Sequence, residues 1–141
     1  MKDVRDMEAE ARRIAQMTPE ARAEHDARLR AHISMLDVID EVLKERARQI
    51  DVEGWTPEHD DEHGQGEMAD AAACYAMTAS ARRFLIGSPA AHMPPTCWPW
   101  GEGWWKPKDR RRDLIRAAAL LVAEIERLDR AALALPTQRG E

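Results

Sequence analysis

Apolar residues recur at helical spacing along most of this chain, and no segment shows the alternation of a strand. The first periodic stretch, Asp3 to Gln16, is polar on nearly every side, with Val4, Met7 and Ile14 as its few apolar positions. Such a helix frays alone or docks on a partner. Thr18-Pro19 then joins an N-cap residue to a proline at the first helical position, a start signal because a backbone N–H there would go unpaired anyway. From that point to about Ile50 nothing breaks the pattern, which predicts an unusually long helix. Leu29, Ile33, Leu36, Leu43, Ala47 and Ile50 follow the three-four spacing of a buried stripe. Val38 and Val42 lie roughly opposite, beside Glu41, Glu45 and Gln49. A helix apolar on two sides is covered from two sides, so the expectation is a bundle interior or a dimer seam.

A loop follows, VEGWTPEHDDEHGQG, with Gly54, Gly64 and Gly66 as turn residues. Within it Thr56-Pro57 repeats the cap-plus-proline signal and predicts a short helical turn. The third helix is expected from about Glu67 to Phe84, and its Ala69, Ala71, Ala72, Ala73, Ala76 and Ala79 imply close helix–helix approach. GSPAAHMPPTCWPWGEGWWKPK comes next, long and aperiodic, and such loops are often functional. Asp109 is a good N-cap for a last helix reaching about Leu133, with Leu114, Ile115, Ala118, Leu121, Val122, Ile125 and Leu128 on a wide apolar face. The expected fold is therefore all-α, a bundle of about four helices with a long Trp/Pro-rich loop. It comprises an N-terminal polar helix (1–17), a single bundle domain (18–135) and a tail (136–141).

Composition narrows the class. A chain of 141 residues is the size of one domain, and 33% charged with 44% hydrophobic residues is the profile of a soluble, folded protein. No apolar run approaches the roughly 18 residues of a membrane span. The opening MKDVRDMEAEARR lacks the apolar core of a signal peptide, so a cytoplasmic location is expected. A net charge of −5 argues against non-specific binding to a nucleic-acid backbone. Cys74 and Cys97 lack CxxC spacing, so neither a disulfide framework nor a thiolate metal site is indicated. Charge is uneven, however: EHDDEH (58–63) is acidic and KPKDRRR (106–112) is basic.

Four groups carry candidate chemistry. Glu41 and Glu45 sit one turn apart on the long helix, and Glu67 and Asp70 open the third. Were those helices neighbours, four carboxylates would converge on a hard cation such as magnesium, which activates water and neutralises charge at phosphorus. The alternative is that Glu41 and Glu45 pair with Lys44, Arg46 or Arg48. Trp98, Trp100, Trp104 and Trp105, interleaved with Pro99, Gly101, Gly103 and Pro107, could stack on bases or close the end of the bundle. Arg110, Arg111 and Arg112 crowd a helix N-terminus that is already partly positive. Either an external phosphate or the acidic loop Glu58–Glu62 would resolve that conflict. Finally, His59, His63 and Glu67 have a loose zinc spacing that Gly64 and Gly66 interrupt. His59-Asp60, with His32 and Asp113, has the residue types of an HD-type phosphohydrolase, but surface histidines in an acidic loop fit both patterns better.

The carboxylate spacing resembles that of the all-α nucleoside triphosphate pyrophosphohydrolases of the MazG type, whose signature is EExxE, a variable gap, then ExxD. Glu41 and Glu45 match the outer glutamates, and GEMAD supplies Glu67 and Asp70. Val42 stands where the middle glutamate belongs, which removes one ligand. A wider set of segments, GWTPEHDDEH, GEMADAAACYA, WPW and WWKPKDRRRDLIRAAALLVAEIERLDR, resembles a group of small phage and prophage proteins. These likenesses imply a nucleotide-binding, phage-type protein acting in the host-cell cytoplasm.

The first expectation is a magnesium-dependent pyrophosphohydrolase with Glu41, Glu45, Glu67 and Asp70 on the metal. Lys106, Lys108, Arg110, Arg111 and Arg112 would hold the phosphates, and Trp104 or Trp105 the base. The rival is a non-catalytic anti-defence protein that sequesters a nucleotide second messenger, which the missing glutamate favours. A purely structural or interaction bundle is the third. A homodimer or higher homo-oligomer is expected in each case.

Overall fold

The computed structural model describes residues 3–79 and 93–135, and all regular structure among them is helical. The helices are α1 (Val4–Ala15), α2 (Pro19–Asp51), α3 (Pro57–Asp61), α4 (Glu67–Thr78) and α5 (Arg110–Ala134), with a 3-10 turn at Glu102–Trp104. The all-α class expected from periodicity is what forms. The third helix, expected to reach Phe84, ends as α4 at Thr78 with Ala79 as its C-cap, and residues 80–84 and the tail 136–141 lie outside the described residues. None of the described helices is long and apolar enough to cross a membrane.

The sequence signals that start these helices act through ordinary capping. Thr18 Oγ1 accepts from the Ala21 N–H at 3.3 Å, Thr56 Oγ1 from His59 N–H at 3.3 Å, and the Asp109 carboxylate from Arg112 N–H at 2.9 Å. Each satisfies a donor that the first turn leaves without an intrahelical partner. At the other end of α2, Gly54 has φ +77°, and the reversal it allows brings the Trp55 N–H onto the Gln49 carbonyl at 3.0 Å. A side chain at that position would be strained.

The chain divides into two compact units, Met1–Ile39 and Asp40–Glu141, with the boundary inside α2. In the first unit none of the described residues is buried, and Leu29, Ile33 and Leu36 stand about half exposed. The stripe expected to be buried along α2 is thus open here.

In the second unit the stripe is open again at Leu43, and α2 instead turns Glu45, Arg46 and Gln49 inward. The apolar face expected of α5 is also divided. Ile115 is buried, but Leu114, Leu121, Ile125 and Leu128 are exposed. The reason lies in α4 and the aromatic loop. Ala71, Ala72, Cys74 and Tyr75 on α4 join Trp98 and Trp105 around Ala117 and Leu120 of α5. Small residues on α4 leave room for two indoles, whose burial outweighs that of an aliphatic row because each ring removes so much surface from water.

Polar pairs complete this unit. Arg46, 5% exposed, donates to Asp60, 2% exposed, at 2.5 Å, and to the Trp55 carbonyl at 3.2 Å. Glu126 of α5 adds its charge at 3.5 Å. Arg130 of α5 holds Asp61 at 2.8 Å and the Pro57 carbonyl at 3.3 Å. The acidic loop is therefore pinned by Arg46 and Arg130, not by the Arg110–Arg112 run. Asp60→Ala should remove the buried carboxylate from Arg46, leaving it only the Trp55 carbonyl and the half-exposed Glu126, and lower stability by about 3 kcal/mol. Urea unfolding measures this, and a loss below about 1 kcal/mol would mean that the pair is not a structural tie.

Candidate functional site

The densest chemistry lies where the Trp/Pro-rich loop meets α2, α3 and α5. Hydrogen bonds fix the loop's exit. The Lys106 N–H donates to the Tyr75 hydroxyl at 3.3 Å, and the Lys108 N–H to Asp113 at 2.8 Å. Arg116 donates to the Lys106 carbonyl, and Arg110 Nε to the Ala79 carbonyl at 2.6 Å. Trp98 Nε1 reaches the Gly101 carbonyl at 3.2 Å and closes the loop on itself.

The four clustered tryptophans then divide by role. Trp105 stacks on Tyr75 at 4.6 Å between centroids, and Trp98 meets both rings edge-on. These two are core. Trp100 and Trp104 face a cavity of about 300 Å³ together with Trp55, His59, His63, Glu53 and Gly101. Around it, Trp55 lies 5.5 Å from Trp100 and 6.4 Å from Trp104, and His63 meets Trp100 edge-on at 5.5 Å and His59 at 4.8 Å. Trp105, expected to hold a ligand, is withdrawn into the core because its ring completes the stack on Tyr75.

A smaller cleft shares Glu53, Trp55 and Trp104 with this cavity and adds Glu45, Arg48, Gln49, Lys106 and Arg116. Three cations there face two carboxylates. At its base Glu45, 1% exposed, receives Arg48 at 2.9 and 3.0 Å and is bonded by Arg112. Arg116 adds its charge at 3.9 Å. Burial pushes the Glu45 pKa up from its usual 4.5, but the hydrogen bond and charge of Arg48, with Arg112 and Arg116, outweigh it and hold the group below that value.

The carboxylates read as a metal set are placed otherwise. Glu41 takes a two-pronged bond from Arg111, both contacts 2.7 Å, and Glu45 is enclosed as described. Glu67 accepts from the Gln65 N–H at 2.8 Å at the start of α4, and Asp70 is exposed. Among the described residues no three His, Cys, Asp or Glu side chains are grouped to hold a cation. The physical reason is that α5 presents its arginines to the α2 glutamates, so the two clusters that looked like separate sites neutralise one another. Arg110, Arg111 and Arg112 are accordingly engaged within the chain, whereas for Lys108 it is the backbone N–H that is bonded and the residue is exposed.

No family model, curated protein or solved structure matches this chain. Gln49 Oε1, His59 Nδ1, Trp100 Nε1 and Arg116 Nε are buried without a hydrogen-bond partner, and all four belong to residues lining the two adjoining spaces. Arg46 Nε and Trp105 Nε1 are unpaired as well, so such groups are frequent around these two spaces without being confined to them. Sequence spacing does not single out Trp55, Glu53 or Arg48, and it offers His59 and His63 only as a loose metal pair. The recurrence of Trp beside Gly and Pro in both loops is the usable signal for them.

Glu45→Gln tests the electrostatic centre. A carboxyl whose folded pKa is depressed stabilises the fold above its unfolded pKa and loses that contribution as pH falls through the folded value. The variant should be less stable than wild type by about 3 kcal/mol at neutral pH, with the gap closing below the ordinary value of 4.5. Equal stability of the two proteins at neutral pH would remove Glu45 from this role.

Proposed function

We propose that this protein binds a nucleotide and holds it without hydrolysing it. The observation that carries the proposal is the shared wall of the two cavities. Trp55, Trp100 and Trp104 offer flat faces on one side of it, and Lys106 and the unpaired Nε of Arg116 offer donors on the other, while Arg48 is committed to Glu45 and Glu53. A base stacks on indole with about 1–3 kcal/mol per ring, and phosphate oxygens accept from guanidinium and ammonium groups. A volume of about 300 Å³ is at the small end of ligand sites, which suits a base; the adjoining cleft, about 20 Å³, has room for little more than a water, so the phosphates run out to solvent beside Lys106. A nucleotide signal of host defence is the ligand class implied by the resemblance to phage proteins.

Sequestration is favoured over hydrolysis by the partners of Glu41 and Glu45. In the hydrolase alternative both would be magnesium ligands, and each would have to leave an arginine that now neutralises it. Titrating nucleotides by calorimetry, with and without magnesium, followed by recovery of the ligand from denatured protein, separates the two. Unchanged nucleotide is the expected product; monophosphate and pyrophosphate would establish the hydrolase. Binding should quench tryptophan emission, and Trp104→Ala, at a position 49% exposed, should weaken it by about 1–3 kcal/mol with little change in Tm. If no nucleotide binds, the structural bundle is what is left.

Self-association belongs to the same proposal. Leu29, Ile33 and Leu36 of the first unit, and separately Leu121, Ile125 and Leu128 of the second, form exposed apolar rows at helical spacing. A second copy is the commonest cover for such a face. Light scattering should give at least a dimeric mass, which Ile33→Glu reduces; a monomeric wild type at micromolar concentration rejects the idea.

A further inference from the structure

Cys74 and Cys97 lie far apart in sequence, yet their sulfur atoms are 3.2 Å apart. The pair is asymmetric. Cys74 sits on α4 with 0% exposure, whereas Cys97 is exposed in the loop just before Trp98. Only Cys97 can meet a reagent from solution. Burial, helped by the neighbouring Cys97 sulfur, pushes the Cys74 thiol up to about 12, so it is inert toward external attack but already beside its partner.

We infer that Cys97 is a modification site for low-molecular-weight disulfides such as oxidised glutathione, and that Cys74 resolves the adduct into an intramolecular Cys74–Cys97 disulfide. In the first step the Cys97 thiolate attacks one sulfur of the reagent. A bond forms from Cys97 to that glutathionyl sulfur, the reagent's own S–S bond breaks, and one glutathione thiolate leaves. In the second step Cys74 gives its proton to water and attacks the Cys97 sulfur, expelling the second glutathione. The two protein thiols are oxidised by two electrons, and one glutathione disulfide is reduced to two thiols.

The location gives the bond a consequence. Cys74 precedes Tyr75 and Cys97 precedes Trp98, whose rings meet at 5.6 Å, and Trp98 in turn abuts the cavity-lining Trp100 at 5.3 Å. The disulfide therefore ties the loop to α4 at the base of the aromatic cluster and holds the Trp100 wall of the cavity. This inference rests on the sulfur geometry and is independent of the ligand proposed above.

The test uses the full chain, reduced and then treated with excess oxidised glutathione at about pH 8, with acid quenching and intact mass analysis. The wild type is expected to lose two hydrogens in mass, with the glutathionyl adduct only transient and the closing step faster as pH rises. Cys74→Ala should stop at a stable single adduct, and Cys97→Ser should remain unmodified. The oxidised wild type should melt higher by roughly 5 °C or more, a shift that dithiothreitol reverses. A persistent adduct on the wild type, or Cys97→Ser reacting as fast as wild type, overturns the inference. Should Cys74→Ala fail to fold, a cross-linked Cys74–Cys97 peptide from proteolysed wild type decides the point, its absence counting against.

Discussion

Glu45 is the group on which the second unit's arrangement depends. A carboxylate taken out of water is tolerated only when its lone pairs and charge are answered, and here Arg48 of its own helix and Arg112 and Arg116 of α5 answer it. That demand sets how the inner face of α2 addresses the first turns of α5. It also explains why three consecutive arginines are acceptable at a helix N-terminus. Asp109 caps the helix, Glu41 and Glu45 neutralise Arg111 and Arg112, and Arg110 bonds a backbone carbonyl.

The next residue along α2, Arg46, has a matching role. Through Asp60, the Trp55 carbonyl and Glu126 it joins α2, α3 and α5, and with Arg130 it holds the acidic segment against the bundle. The loop that carries Trp55, His59 and His63 is therefore positioned by buried charge together with the packing of Trp55 against the core.

The aromatic residues follow a different logic. In a chain with one Phe and one Tyr, Trp98 and Trp105 supply the bulk that α4 gives up through its alanines. Once those two rings are seated, the proline- and glycine-rich backbone between them brings Trp100 and Trp104 to the cavity side. Core formation and the candidate site are thus consequences of one loop conformation, and the sulfur pair of Cys74 and Cys97 sits at its base.

The helical class, the caps at Thr18, Thr56 and Asp109 and the starts of the described helices were legible in the chain, because they depend on local backbone chemistry. The inward direction of α2 and α5 was not. Periodicity marks which residues share a face, but Leu43 and Leu121 share theirs without being covered, since cover depends on what the rest of the chain brings near. The same reason applies to charge. Glu41, Glu45 and the Arg111–Arg112 pair have the spacing of two separate ligand sites, and only their tertiary meeting shows that each answers the other. The sequence by itself determined helices and the residue types able to do chemistry. The tertiary structure decided which of them are occupied with holding α2 to α5 and which, around Trp55, Trp100 and Trp104, are left facing a cavity. Long-range pairing of charge and the seating of large rings are not encoded in any local spacing.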